Sequence, residues 1–231
     1  YFYDNNIHIL VQNLTPLSFL AIEHDYVQNP INISSQILKN IRARLKKQGI
    51  KDFIIFHPSA QYQYKVLPKQ LRNELLSSLS KLNVPIIITG GKDKIDMTIK
   101  QEIPLLDNVY NFIGETSLEE YFALSKLSIC YVGMDTLNMH IAASQNKPIF
   151  AVFGPTKLSM WSPWSNTLQS AAFDNKPTQT YDNITLFQSS APCNVCGSIG
   201  CGSNHGKNEF SYIIKPEDIF NKVEKWYKNV K

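Results

Sequence analysis

Residues 128–144 read SICYVGMDTLNMHIAAS, and the fold turns on this stretch. Residues 128–132 form a short, unbroken apolar run. Such runs are typical of a strand buried on both faces of a parallel sheet, where no face is left for polar residues. Residues 136–144 are expected to be helical. Between them, residues 133–136 (GMDT) form a tight connection. A strand followed directly by a helix is half of a βαβ unit, and it leaves the helix N–H groups free beyond the strand's carboxyl end.

The same alternation continues on both sides. Upstream, residues 34 and 35 open a helix with Ile37, Leu38, Ile41 and Leu45 on one face, and Gly49 ends it. Residues 52–56 (DFIIF) are a first strand. Residues 67–82 form a helix, with Pro68 in its first turn and Leu71, Leu75, Leu79 and Leu82 inward. Residues 84–89 (VPIIIT) form the second strand and 93–103 the next helix. Residues 109–112 are a third strand. Residues 117–127 are a helix opened by a Ser117–Glu120 capping box. Downstream, residues 148–153 (PIFAVF) are a fifth strand, and 216–230 an amphipathic tail helix with Ile219, Phe220, Val223, Trp226 and Val230 on one side. Residues 7–11 suit either a strand or a short helix, and residues 28–33 read as a linker. The expectation is an α/β, Rossmann-like parallel sheet with helices on both faces and right-handed crossovers.

In such sheets ligands bind beyond the carboxyl ends of the strands, so the loops there hold the candidate residues. In residues 57–66 (HPSAQYQYKV), Ser59 offers a hydroxyl, and Lys65 offers a charge to a phosphate or to solvent. In TGGKD (89–93), Gly91 allows close approach of a ligand, and Asp93 suits either a ribose contact or a helix N-cap. In residues 133–140, free amides near Thr136, Leu137 and Asn138 make an anion site. Asp135 and His140 stand beside it, with a plain cap and a core histidine as their alternatives. Residues 153–156 are expected to form part of the wall beside this loop, and Trp161 and Trp164 to stack a ligand or cap the core.

Composition limits the remaining classes. Of 231 residues, 43% are hydrophobic and 18% charged, which excludes a wholly disordered chain. No apolar run approaches the roughly 18 residues that span a bilayer, and mean hydropathy is −0.20. Net charge is +4, but the only arginines are Arg42, Arg44 and Arg72, too few and too dispersed for a nucleic-acid groove reader. The charge suits an anionic small molecule or membrane surface. No secretory leader is evident, and three of the four cysteines crowd into residues 193–201, which suggests a reducing compartment. Cys193, Cys196, Cys201 and His205 have donors for a tetrahedral zinc; ordinary loop thiols are the alternative.

In this order, HPSAQYQYKVLP, IIITGGKD, FIGETSLEEYFALSKLSICYVGMDTLNMHIAA, KPIFAVFGPT and WSP resemble the carboxyl-terminal domain of the glycosyltransferase family 9 enzymes, the ADP-heptose:lipopolysaccharide heptosyltransferases. The resemblance runs from residue 57 to 164. It implies a GT-B fold, with residues 34–231 as the donor-binding domain and 1–33 as the end of an amino-terminal domain and linker. It implies inverting transfer of heptose from ADP-heptose to the lipopolysaccharide inner core, in the cytoplasm or on the inner-membrane surface, with no required cofactor. Donor roles fall on Ser59, Lys65, Gly91, Asp93, Thr116, Ser117, Asp135, Thr136, Leu137 and His140. The catalytic base is expected in the amino-terminal domain. Two positions depart from the family pattern: Leu137 stands for a glycine and Val66 for an aromatic. The competing readings are a nucleotide-sugar-binding module without transfer activity and a UDP-sugar epimerase of related fold.

Overall fold

The computed structural model describes residues 4, 6–23, 27, 31–189 and 214–231. Cys193, Cys196, Cys201 and His205 therefore lie outside the described residues. Among the described residues seven strands form one sheet in the order β3-β2-β1-β4-β5-β7-β6. They are β1 (Ile54–His57), β2 (Ile86–Ile88), β3 (Val109–Asn111), β4 (Cys130–Met134), β5 (Ile149–Phe153), β6 (Thr178–Tyr181) and β7 (Ile184–Gln188). All neighbouring pairs are parallel except β6 with β7. The helices are α1 (Ile9–Leu14), α2 (Ser35–Lys47), α3 (Lys69–Ser80), α4 (Lys94–Glu102), α5 (Leu118–Leu127), α6 (Leu137–Ser144), α7 (Leu158–Trp161) and α8 (Pro216–Val230).

The apolar runs behave as two-faced strands. Successive side chains of β1 enter opposite layers: Ile55 joins the core under α2 and α5, while Ile54 and Phe56 join the core under α3 and α8. Every residue of β1, β2, β4, β5 and β7 is buried. Each fully buried isoleucine there contributes on the order of 1.5–3 kcal/mol of transfer free energy.

Local signals set the helix ends. Ser117 accepts from the Glu120 amide while the Glu120 carboxylate accepts from the Ser117 amide, completing the capping box of α5. Arg44, Lys46 and Lys47 occupy the last turn of α2, where they complement the helix dipole. Gly49 follows at φ +70°, a conformation L side chains rarely adopt.

Some expectations shift. Of the two readings open for residues 7–11 the short helix holds, as α1 from Ile9. The helix expected from residue 67 starts at Lys69, and Lys65 sits in a 3-10 turn, Gln63–Lys65. The sequence reading also passed over the β6–β7 hairpin, so the sheet ends in one antiparallel edge strand. Its two-residue turn holds Asp182 at φ 48°, as turns matched to strand twist require.

His8 ties α1 to the sheet domain. Its Nε2 lies 2.8 Å from the Ser162 carbonyl, its Nδ1 accepts from the Leu10 amide, and its ring lies 5.1 Å from that of Trp164. These partners suit the neutral ring, and a second proton would face the Leu10 N–H. Burial lowers the His8 pKa from 6.5 to about 4. Burial also lowers that of His57, at the end of β1, to about 4. Between these values the unfolded chain binds protons that the folded chain refuses, so this stability is present above pH 6.5 and is lost as pH falls toward 4. Between pH 7 and 5 each histidine should remove about 2 kcal/mol. Urea melts at the two pH values check this; equal stability would contradict the buried placement.

Candidate functional site

Beyond the carboxyl ends of β1 to β5 lies a cleft of about 650 Å³. The loops reach it in the order of their strands. The loop after β3 brings Thr116 and Ser117, the loop after β2 brings Gly91 and Asp93, and the loop after β1 brings Ser59 and Lys65. The loop after β4 brings Asp135, Thr136, Leu137 and His140, and Trp161 reaches the rim from beyond β5. The structure thus gathers on one cleft all the donor-site residues proposed from sequence.

At its centre the Lys65 Nζ donates to Asp135 Oδ2 at 2.9 Å. Asp135 is only 7% exposed, while Lys65 is partly open to the cleft. Beside this pair starts α6. Thr136 occupies its N-cap position but makes no side-chain cap bond. Its hydroxyl lies 3.4 Å from the Tyr131 hydroxyl instead. The first amides of α6 are therefore not satisfied by their own cap, which suits them to an anion. His140 stands half-buried one turn on. Burial lowers its pKa; Asp135 opposes that shift and Lys65 adds to it, so the ring is neutral near pH 7.

The glycine turn is shaped by an aspartate that the sequence reading did not single out. Asp96 is buried, and its Oδ2 accepts from the Gly91 amide at 2.8 Å. A Cβ on Gly90 would strike this carboxylate, so the loop needs glycine for space. Burial raises the Asp96 pKa, and Asp93 adds to that shift. Asp93 is the N-cap of α4, accepting from the Asp96 amide at 3.0 Å. That bond holds its carboxyl below the usual range. Asp93 still lines the cleft, so cap and cleft positions coincide in one residue. The same holds for Ser117, whose hydroxyl caps α5.

The loop after β3 is pinned as well. Gly114, at φ +74°, donates from its amide to the Gly90 carbonyl at 3.0 Å, joining the loops after β2 and β3. Arg44 and Lys100 donate to Glu115 at 2.6 and 3.2 Å, fixing the residue before Thr116. His57, which the sequence reading did not single out, faces the side chain of Asn138 at 3.1 Å on the cleft floor and lies 3.0 Å from the Thr89 hydroxyl. The signal for His57 was its place at the last residue of a buried strand. One expectation fails: residues 153–156 are not among those lining the cleft, because the Gln188 amide holds the Gly154 and Thr156 carbonyls toward β7 at 3.4 and 3.3 Å.

Among the described residues no cluster of three or more His, Cys, Asp or Glu could hold a metal ion. Among the same residues no helix is long and apolar enough to cross a membrane.

Comparison with known proteins gives consistent results. The family model of glycosyltransferase family 9 (heptosyltransferase) matches residues 6–189. Lipopolysaccharide heptosyltransferase 3 of Escherichia coli K12 is 25% identical over 165 residues, covering 70% of this chain and 48% of that protein. Lipooligosaccharide heptosyltransferase 2 of Haemophilus influenzae is 28% identical over 137 residues, covering 57% of this chain and 40% of that protein. The chain spans about half the length of the curated relatives it matches. Among solved structures, a family 9 glycosyl transferase from Veillonella parvula superposes with a TM-score of 0.76 at 15% identity, covering 97% of this chain and 61% of that one. Escherichia coli ADP-heptose lps heptosyltransferase II superposes with a TM-score of 0.61 at 16% identity, covering 89% and 55%. These structural likenesses concern the fold.

Proposed function

The chain belongs to glycosyltransferase family 9, the heptosyltransferases, and on that footing we propose that it is the donor-binding part of an enzyme of lipopolysaccharide core synthesis. The donor is ADP-heptose, and residues 34–231 form the domain that binds it. Residues 1–33 belong to the end of the preceding domain and the linker. The acceptor is the lipopolysaccharide inner core, met at the cytoplasmic face of the inner membrane.

The observation that carries this reading is the Lys65–Asp135 pair, 2.9 Å apart beside the uncapped start of α6. The diphosphate lies there, with the ammonium and the free amides as its partners. The nucleoside extends over Gly91, Asp93, Thr116 and Ser117. In the reaction a base outside this domain takes the proton of an acceptor hydroxyl. The freed oxygen bonds to the anomeric carbon from the side opposite the diphosphate. The bond from that carbon to the diphosphate oxygen breaks, and its electron pair leaves with the diphosphate, inverting the centre. Charge grows on the leaving oxygen in the transition state. Lys65 and the α6 amides then bind more strongly than in the ground state, which is what accelerates the step. His140, neutral in its pocket, adds no second cation.

A thermal-shift screen of ADP-, UDP- and GDP-linked sugars tests the donor. ADP-heptose should raise the melting temperature most, because a ligand at 100 times its Kd adds about 2.7 kcal/mol of stability. Stabilisation by UDP-linked sugars instead would favour the epimerase reading. Donor binding without heptose transfer by the whole protein would favour the binding-module reading.

A further inference from the structure

We infer that the transferred glycosyl group lies over Leu137 and Trp161 and extends into a side chamber between α6 and α1, and that these two side chains determine which glycosyl is accepted. The inference rests on reading the cleft as a nucleotide-sugar site and goes beyond it by assigning the sugar its own place.

The strand order carries the argument. The charged centre belongs to the neighbouring strands β1 and β4, through Lys65 and Asp135. On one side of it stand the loops after β2 and β3, and on the other the loops after β4 and β5. A nucleotide-diphospho-sugar is linear: base, ribose, diphosphate, sugar. With its phosphates over the centre, an extended donor lays its two ends on opposite sides.

Size assigns the ends. Leu137, His140 and Trp161 line both the main cleft and a second chamber of about 140 Å³. That volume matches roughly five waters. It is too small for a purine nucleoside and large enough for the outer carbons of a sugar. Ile9, Leu10 and Trp164 give it apolar walls, and Ser144 and Asn166 add polar atoms.

Side-chain exposure points the same way. Leu137 is 59% exposed and Trp161 is 36% exposed, both at this junction. Leu137 is the first residue of α6, where the fold has no need of a large apolar side chain. Its amide serves the anion site whatever its side chain. The isobutyl group is therefore free to present C–H contact to a sugar ring, and the indole to take the ring's apolar face.

Calorimetric titration of the full chain with ADP and with ADP-heptose tests this, with melting curves to show that each variant is folded. The measured quantity is the gain in affinity of ADP-heptose over ADP. In Leu137→Ser and in Trp161→Ala that gain should fall by about tenfold, the scale on which a pocket senses one apolar contact. A gain that stays at the wild-type value in both variants overturns the inference. So does a loss that falls equally on ADP, which would place Leu137 at the diphosphate. A wild-type chain that binds ADP yet gains nothing from the heptose overturns the inference and leaves the nucleotide site standing. A chain that binds neither overturns both.

Discussion

Gly133→Ala should cost the domain about 3 kcal/mol or more of stability, among the larger effects of a single methyl group. Gly133 lies in the middle of the sheet, directly opposite His57 of β1. A Cβ there would run into the His57 carbonyl oxygen and would stand 2.8 Å from the Tyr131 hydroxyl. The first obstacle is backbone of a central buried strand, so it cannot swing aside. The second is held in turn, because the Tyr131 hydroxyl donates to the Met134 carbonyl at 2.8 Å. Relief requires β1 and β4 to part, which breaks the ladder that sets Lys65 against Asp135. Gly154→Ala is the control: nothing lies within 4 Å of its added Cβ. Urea unfolding of both variants decides. A Gly133→Ala midpoint equal to wild type would show that the two strands do not cross as closely as described.

The difference between these glycines also marks how far sequence alone reaches. β1, β2, β4 and β5, their helices and the loops at their carboxyl ends were legible because both faces of these strands are buried. An uninterrupted apolar run such as IFAVF then has few alternatives, and strand–helix alternation fixes which end holds the site. The β6–β7 hairpin was not legible by that rule, although β7 is buried throughout, because Thr185 and Gln188 break its apolar run. β6 reads TQTY, with its alternate residues exposed, so it carries no apolar run; only Asp182-Asn183 marked the turn. Roles within the site were harder still. Asp93 and Ser117 carry the side chains of both a cap and a ligand contact, and the chemistry of the residue type is the same for each. Asp96 was invisible because its partner, the Gly91 amide, belongs to the backbone. Gly133 reads as one more loop glycine, since the need for it comes from a strand distant in sequence.

Lys65→Ala should weaken ADP binding by about a hundredfold, or roughly 2.7 kcal/mol, within the range for truncating one member of a partly buried charge pair. The ammonium does two things on the proposed reading. It offsets the Asp135 carboxylate, and it is the one cation among the cleft's lining residues placed beside the start of α6. Without it, a diphosphate would meet the Asp135 charge with only helix amides in support. Removing Lys65 also leaves Asp135 buried and without its cation, which should lower stability by about 1–3 kcal/mol. The two effects separate experimentally. Affinity is read by titration well below the melting temperature, where the variant is folded, and stability by urea. Salt adds an independent check: ADP affinity of the wild type should fall as ionic strength rises, and less steeply once the cation is gone. Lys65→Arg should recover part of the affinity, because the charge returns with a different reach. If Lys65→Ala binds ADP within about twofold of wild type, below the 1.4 kcal/mol that a tenfold change represents, Lys65 serves the fold through Asp135 and the diphosphate site lies elsewhere.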